Sequence, residues 1–189
     1  MAEQYKMLIG GEWVDALNGA QFEVLNPANG QVVGMAPLCG KEDVDKAVQA
    51  AQAAAPAWGA TPVGQRSKVL LKAAQLLMQR QEELAVLETQ QQGSPIRKTM
   101  NFDVPLCAEQ LEYFAGVARS VTGQTLPVGP WCMSTTVKEP LGVVGIITPW
   151  NFPALMVVWK LGAAVVMGNA CVVKPTSVAP LTALKLGEI

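Results

Sequence analysis

The period of the apolar positions changes several times along the chain. Between residues 5 and 38, apolar and polar residues alternate between clusters of Gly, Asn and Pro, as in EWVDALNGAQFEVLNPANGQVVGMAP, which predicts short strands joined by turns. From Lys41 the spacing becomes helical: Val44, Ala47, Val48, Ala51, Ala54 and Ala55 mark one face of a helix expected to end at Pro56. A second helix is expected after Thr61, which can serve as its cap, with Pro62 in the first position and Val69, Leu70, Ala73, Leu76 and Leu77 on its apolar face. Helical sequence continues to Gln92, where Gly93 and Pro95 stop it. A third long helix is expected over 99–121, with Leu106, Leu111, Phe114, Val117 and Val121 turned to the core.

Residues 122–140, TGQTLPVGPWCMSTTVKEP, return to Gly, Pro and β-branched residues. The part from 131 to 137 reads as a strand that either pairs with another chain through an exposed edge or closes an ordinary internal hairpin. The last third is the most regular. LGVVGIIT, 141–148, is a continuous β-branched run of the kind a fully buried strand shows. Residues 153–168 read as a helix apolar nearly all round, 170–174 (ACVVK) as the next buried strand, and 178–189 as a closing helix. Strand, helix, strand, helix in this order implies a parallel sheet and the α/β class.

Composition narrows the field. Half of the 189 residues are hydrophobic and 15% are charged, enough apolar material for a real core in one domain. A formal charge of −1 with scattered Lys and Arg gives no basic stripe for a nucleic acid, so a small-molecule ligand is the better expectation. The N-terminus lacks the pattern of a secretory leader, and a cytoplasmic protein is expected. The apolar stretch 154–173 approaches the length of a membrane span, but Lys160 lies inside it, Gly168 and Asn169 break it, and Pro153 and Pro175 bracket it. A buried helix and strand explain these interruptions, and no membrane partner is expected. Cys39, Cys107, Cys132 and Cys171 fit neither zinc-ligand spacing nor a disulfide framework. Reduced and mostly packed thiols, and no metal, are the expectation.

The candidate chemistry lies where the two strands end. Ligands of parallel sheets bind beyond the carboxyl ends of the strands. PWN follows the first strand and KPTS the second, so Asn151 and Lys174 are expected on one rim. The Asn151 amide can donate to an oxygen gaining negative charge, or it can simply cap the next helix. Lys174 can donate to a ribose hydroxyl or phosphate, or stand solvated at the end of its strand. Phe152, Met156 and Trp159 share a helical stripe that either lines an apolar channel or packs as plain core.

The stretch EPLGVVGIITPWNFPALMVVWKLGAAVVMGNACVVKPTSVAPLTAL, with IGGEWV and NPANG earlier, resembles the aldehyde dehydrogenase superfamily, and the resemblance runs through the whole chain. It implies a Rossmann-like parallel sheet with flanking helices and N-terminal β-hairpins. It also implies a cofactor-binding domain made of 1–121 and 141–189, and a protruding oligomerisation hairpin at 122–140 that joins homodimers or homotetramers. The implied activity is NAD- or NADP-dependent oxidation of an aldehyde to an acid through a Cys thiohemiacetal and thioester. Asn151 then matches the oxyanion donor, and Ile147, Thr148, Pro149 and Trp150 the stretch along the cofactor. Lys174 matches the contact to the adenosine ribose, and Phe152, Met156 and Trp159 the aldehyde entrance.

Two departures qualify this. Ser177 stands where NAD-preferring relatives carry a Glu that holds the ribose hydroxyls, which makes NADP a serious candidate because no carboxylate repels a 2′-phosphate. The family's nucleophilic Cys, general-base Glu and glycine loop have no counterpart within these residues, and with no His in the sequence a His-dependent triad cannot form. The catalytic domain is expected to lie beyond this chain, which on this reading breaks off inside its last helix and exposes Leu161, Val165 and Val173. A non-catalytic cofactor-binding or assembly module and a CoA-acylating relative are the alternative readings.

Overall fold

A computed structural model describes residues 3–189. The N-terminal region forms β1 (Glu3–Gln4), β2 (Met7–Ile9), β3 (Glu12–Val14), β4 (Gln21–Leu25) and β5 (Val32–Pro37). β2 and β3 make an antiparallel hairpin whose turn is Gly10–Gly11, with φ of 61° and 87°. Two successive positive φ values match the right-handed twist of the strands and suit glycine alone at little cost. β4 and β5 pair antiparallel, and β1 adds to β5 in parallel. Residues 5–38, read as short strands and turns from their alternation, hold β2 to β5 and the turns between them.

Three helices follow: α1 (Lys41–Ala60), α2 (Val63–Gln79) and α3 (Gln81–Gln92). α1 continues past Pro56, contrary to the sequence expectation, because Pro56 is on the exposed side, where water can serve the carbonyl left open. Its last turn is anchored by Trp58, whose Nε1 donates to Val165 O at 2.8 Å. Thr61 does not cap α2: its hydroxyl donates back to Ala57 O at 2.9 Å, and Pro62 takes the cap position. The helical sequence up to Gln92 is two helices, broken at Arg80 (φ −109°, ψ 20°), whose guanidinium grips Glu83 at 2.8 and 2.9 Å. No Gly or Pro marks this break, so periodicity passes over it.

The segment 99–121, expected as one helix, is composite: after a short α4 (Ile96–Lys98) come a π turn at Thr99–Asp103, α5 (Val104–Val117) and a 3₁₀ turn at Ala118–Ser120. Pro105 has no N–H to return to Asn101, and the turn widens before it. The Lys98–Asp103 ion pair, 2.6 Å, closes the widened turn. The register of the buried face shifts accordingly. Val104, Cys107, Ala108, Leu111 and Ala115 face the core, Leu106 and Phe114 are half-buried, and Val117 and Val121 are exposed. On α2 the buried apolar positions are Leu70, Ala74 and Leu77, with Val69 turned outward and Arg66 and Ser67 buried beside them.

β6 (Thr125–Gly129) and β7 (Cys132–Thr135) form a hairpin exposed along its whole length, with Trp131 95% exposed at the tip. Then come β8 (Val143–Ile147), α6 (Pro153–Val166), β9 (Ala170–Lys174) and the short α7 (Leu181–Leu186). β8 and β9 are parallel, as the strand–helix–strand order requires. Gly168, at φ 91°, turns the chain out of α6 where a Cβ would come within 2.9 Å of Pro140. Asn169 then ties the turn to the sheet, donating to Ala164 O and accepting from Gly142 N. α6 packs with α2 and α5 around Leu77, Cys107, Leu111, Leu155 and Val158.

Three expectations change here. β8 is not fully buried: Ile146 is 3% exposed but Ile147 is 74% exposed, because β9 is the strand's one neighbour among the described residues. Leu161, Val165 and Val173 are half-buried, and the open apolar surface is instead that of Leu141 and Ile147. The closing helix spans Leu181–Leu186 alone. No described helix is long and apolar enough to cross a membrane.

Candidate active site at the ends of the parallel strands

The register of the two parallel strands sets the site. Ile147 lies directly opposite Lys174, and Thr148 N donates to Lys174 O at 3.3 Å. The two polar clusters therefore leave the sheet side by side on one rim. Thr148 is 5% exposed and its hydroxyl has no hydrogen-bond partner, an orphaned donor and acceptor at the strand end.

After Thr148 the chain turns through Pro149, Trp150 and Asn151 before Phe152 caps α6. Phe152 O accepts the first helical bond from Met156 N at 2.9 Å, and Pro153 occupies the first helical position. The cap makes no side-chain hydrogen bond, and no partner of the Asn151 amide is found among the described residues. Asn151 is exposed. Its amide is thus left available, while its backbone carbonyl accepts from Gln92 Nε2 at 3.3 Å.

Lys174 and Ser177 are both exposed, and the Lys174 ammonium reaches only its neighbour Pro175 O, at 3.3 Å. Trp150 and Ser177 meet across a cleft of about 380 Å³ that Pro27, Gln91 and Gln92 also line. Phe152, Met156 and Trp159 are not plain core. They share the less buried stripe of α6, Trp159 being 46% exposed, while Ala154, Leu155 and Val158 face inward. Lys98 Nζ sits 4.2 Å from the centre of the Phe152 ring, a cation–π contact.

None of the four thiols is in a disulfide. Cys39 and Cys132 are exposed, so the expectation of mostly packed cysteines holds only for Cys107 and, in part, Cys171. Burial pushes the Cys107 thiol well above its ordinary value and Cys171 up to about 11, and burial with the nearby Asp43 raises Cys39. A nucleophilic thiolate requires the opposite shift.

Sequence reasoning missed the residues that hold the corner from behind. Glu88, Gln91 and Thr182 are almost fully buried. Glu88 Oε1 accepts Ala154 N–H at 3.2 Å in the first turn of α6, and its Oε2 accepts from Thr182 Oγ1 and from Gln91 Nε2, the latter at 3.2 Å. Gln91 Oε1 accepts Leu181 N–H at 2.7 Å. A signal existed: Leu84, Glu88 and Gln91 share one helical stripe, so two polar residues stand at core-facing positions.

Parallel strands ending in a polar rim, with a helix entered from that rim, make the α/β arrangement in which ligands bind beyond the strand ends. The sequence model of the aldehyde dehydrogenase family matches residues 13–189. An acetaldehyde dehydrogenase of Pseudomonas aeruginosa is 45% identical over 186 residues, covering 98% of this chain and 37% of that protein. Two crystal structures of PnpE, one from Pseudomonas sp. WBC-3 and one in complex with nicotinamide adenine dinucleotide, each superimpose with a TM-score of 0.93 at 38% identity, over 100% of this chain and 38% of that one. The structure of an NADP-dependent enzyme of E. coli superimposes at 0.94, also at 38% identity, over 98% and 39%. The chain belongs to the aldehyde dehydrogenase family. It spans about 37% of the length of the curated relative.

Proposed function

We propose that this chain supplies the cofactor shelf and the oxyanion donor of an NAD(P)-dependent aldehyde dehydrogenase that oxidises an aldehyde to a carboxylic acid. The observation that carries the reading is the pairing of Ile147 with Lys174, which sets the unpartnered Asn151 amide and the Lys174 ammonium on one rim. The bound dinucleotide supplies the hydride acceptor. In this reading Lys174 and Ser177 hold the adenosine ribose, and Ile147, Thr148, Pro149 and Trp150 lie along the cofactor. Thr148's unpaired hydroxyl, and the lack of a carboxylate at 177, fit a ligand carrying hydroxyls and phosphates.

Asn151 donates its amide N–H to the aldehyde oxygen as that oxygen gains charge, an interaction that strengthens toward the transition state. Phe152, Met156 and Trp159 form an apolar approach for the aldehyde. The raised thiols of Cys39, Cys107 and Cys171 argue against these three as the nucleophile, and in this reading nucleophile and base lie outside residues 1–189. Ser177 supports use of NADP, alone or beside NAD, because it places no negative charge against a 2′-phosphate. The protein is read as cytoplasmic, assembling into homodimers or homotetramers through the hairpin at 122–140.

The test is an assay of the gene product purified from its source, following reduced nicotinamide with a panel of aldehydes and either cofactor, beside its intact mass. Aldehyde-dependent reduction of NAD or NADP is expected. Cofactor binding without turnover on any aldehyde would replace the proposal with the non-catalytic binding module.

A further inference from the structure

The corner that carries Asn151 is held from one side by a single helix and the turn after it. Glu88 on α3 accepts Ala154 N–H, three residues beyond Asn151. Gln92, one helical turn further, donates to the carbonyl of Asn151 itself. Lys98, after α3 ends, lies on the Phe152 ring and is held there by Asp103 at 2.6 Å. Of Glu88, Gln92 and Lys98, which touch the corner, only Glu88 is fully enclosed, at 1% exposure; its carboxylate has three contacts, and those to Thr182 and to Gln91, which in turn accepts Leu181 N–H, also fix the start of α7.

We propose that Glu88 is the positioning residue for the Asn151 corner, fixing the first turn of α6 so that the Asn151 amide points to one place on the rim. The statement rests on the proposed oxyanion role of Asn151 for its effect on turnover, but not for its effect on the corner. The physical reason is the geometry of acceptors. The first N–H groups of a helix have no partner within it, and here one of them is bound by a buried side chain from another helix. Donation to an oxyanion depends on placement, and an error of about 1 Å can cost ~10²-fold in rate.

The hydrogen-bond pattern permits a specific test. Above about pH 7, where its carboxyl is ionised, Glu88 accepts at both oxygens, while Gln91 donates through Nε2 and accepts through Oε1; the comparison is made at about pH 8.5. E88Q turns one acceptor into a donor, which then faces either the Gln91 amide or the Ala154 N–H. Q91E sets two carboxyl groups against each other. The double swap E88Q/Q91E restores a complete set: one amide oxygen for Ala154, an amide N–H toward position 91, and carboxylate oxygens for Leu181 N–H and Thr182 Oγ1.

The four variants, wild type, E88Q, Q91E and the swap, are compared in the complete gene product for turnover, cofactor KM and hydrogen exchange of the peptide backbone over 149–156. Each single change is expected to lower kcat about 10-fold or more with cofactor KM within about twofold of wild type, and to speed exchange across the corner. The swap is expected to recover both. Wild-type exchange and kcat in E88Q would overturn the proposal, as would a folded swap that recovers neither. If Asn151→Ala leaves kcat intact while the exchange pattern is as described, the oxyanion reading fails and the positioning of the corner by Glu88 stands. Should the single variants not fold, a swap that folds with wild-type exchange and turnover supports the proposal.

Discussion

Arg66 Nε donates to Val166 O at 2.8 Å, so a buried guanidinium closes the carboxyl end of α6. Its Nη1 also donates to Gly59 O and Thr61 O, joining the end of α1 to the same point. A positive charge at a helix carboxyl end is favourable, and three carbonyls depend on one planar fork. Arg66→Met is expected to lose about 3 kcal/mol of stability through unpaired buried carbonyls, read as a lower midpoint in urea. Lys at this position should recover only part of the loss.

Asn151→Ala is expected to lower kcat about 10²-fold or more, as removal of an oxyanion donor does. The melting temperature should stay within a few degrees, because the amide makes no bond to the described residues. A large drop in stability together with a small one in turnover would show a structural role instead. Steady-state kinetics beside a thermal melt separate the two.

Ser177→Glu places a carboxylate beside the exposed Lys174 rim. It is expected to raise the KM for NADP about 10-fold or more by repulsion of the 2′-phosphate, with the KM for NAD unchanged or lower. Equal effects on both cofactors would remove Ser177 from the ribose site.

Burial raises the Glu88 carboxyl from its ordinary value to about 7, with Thr182 and the Ala154 N–H opposing the shift, Asp103 adding to it and Lys98 opposing it; Cys107 packs in the same cluster. Its folded value exceeds its unfolded one, so the folded protein holds the extra proton between 4.5 and about 7. Stability from this group is full below 4.5 and falls as pH rises through about 7. At ~1.4 kcal/mol per pKa unit, the loss is about 3 kcal/mol. Denaturation midpoints should therefore fall from about pH 5.5 to about pH 7.5, and E88Q should flatten the trend; the sequence has no histidine to titrate in that range.

If the chain assembles through the hairpin as proposed, Trp131 at its tip, 95% exposed, is expected to be covered by a second copy. Trp131→Lys should shift the complete gene product toward smaller species in size-exclusion chromatography with light scattering. An unchanged mass would place the subunit contact elsewhere.

Much of this was legible from the chain itself. Alternation in the first 38 residues and the strand–helix–strand order of the last third report local geometry, since side-chain period and turn residues act within a few positions. The same locality placed Asn151 after β8 and Lys174 at the end of β9. It passed over the break at Arg80, which no Gly or Pro marks, and the π turn before Pro105, because both lie inside a continuous helical period. Nor could it foresee that Ile147 would lie open, because burial of a strand depends on how many strands flank it.

The strand–helix–strand order of the last third and the polar residues that follow each of its strands come from residue types and their spacing, which the sequence holds in full. Which groups orient the Asn151 corner was decided only by tertiary structure. Glu88 and Ala154 are far apart in the chain, and the carboxylate meets that N–H only because α3, α6 and α7 pack together, leaving one buried acceptor beside Ala154 N–H of α6, Thr182 Oγ1 of α7 and Gln91 Nε2 of α3.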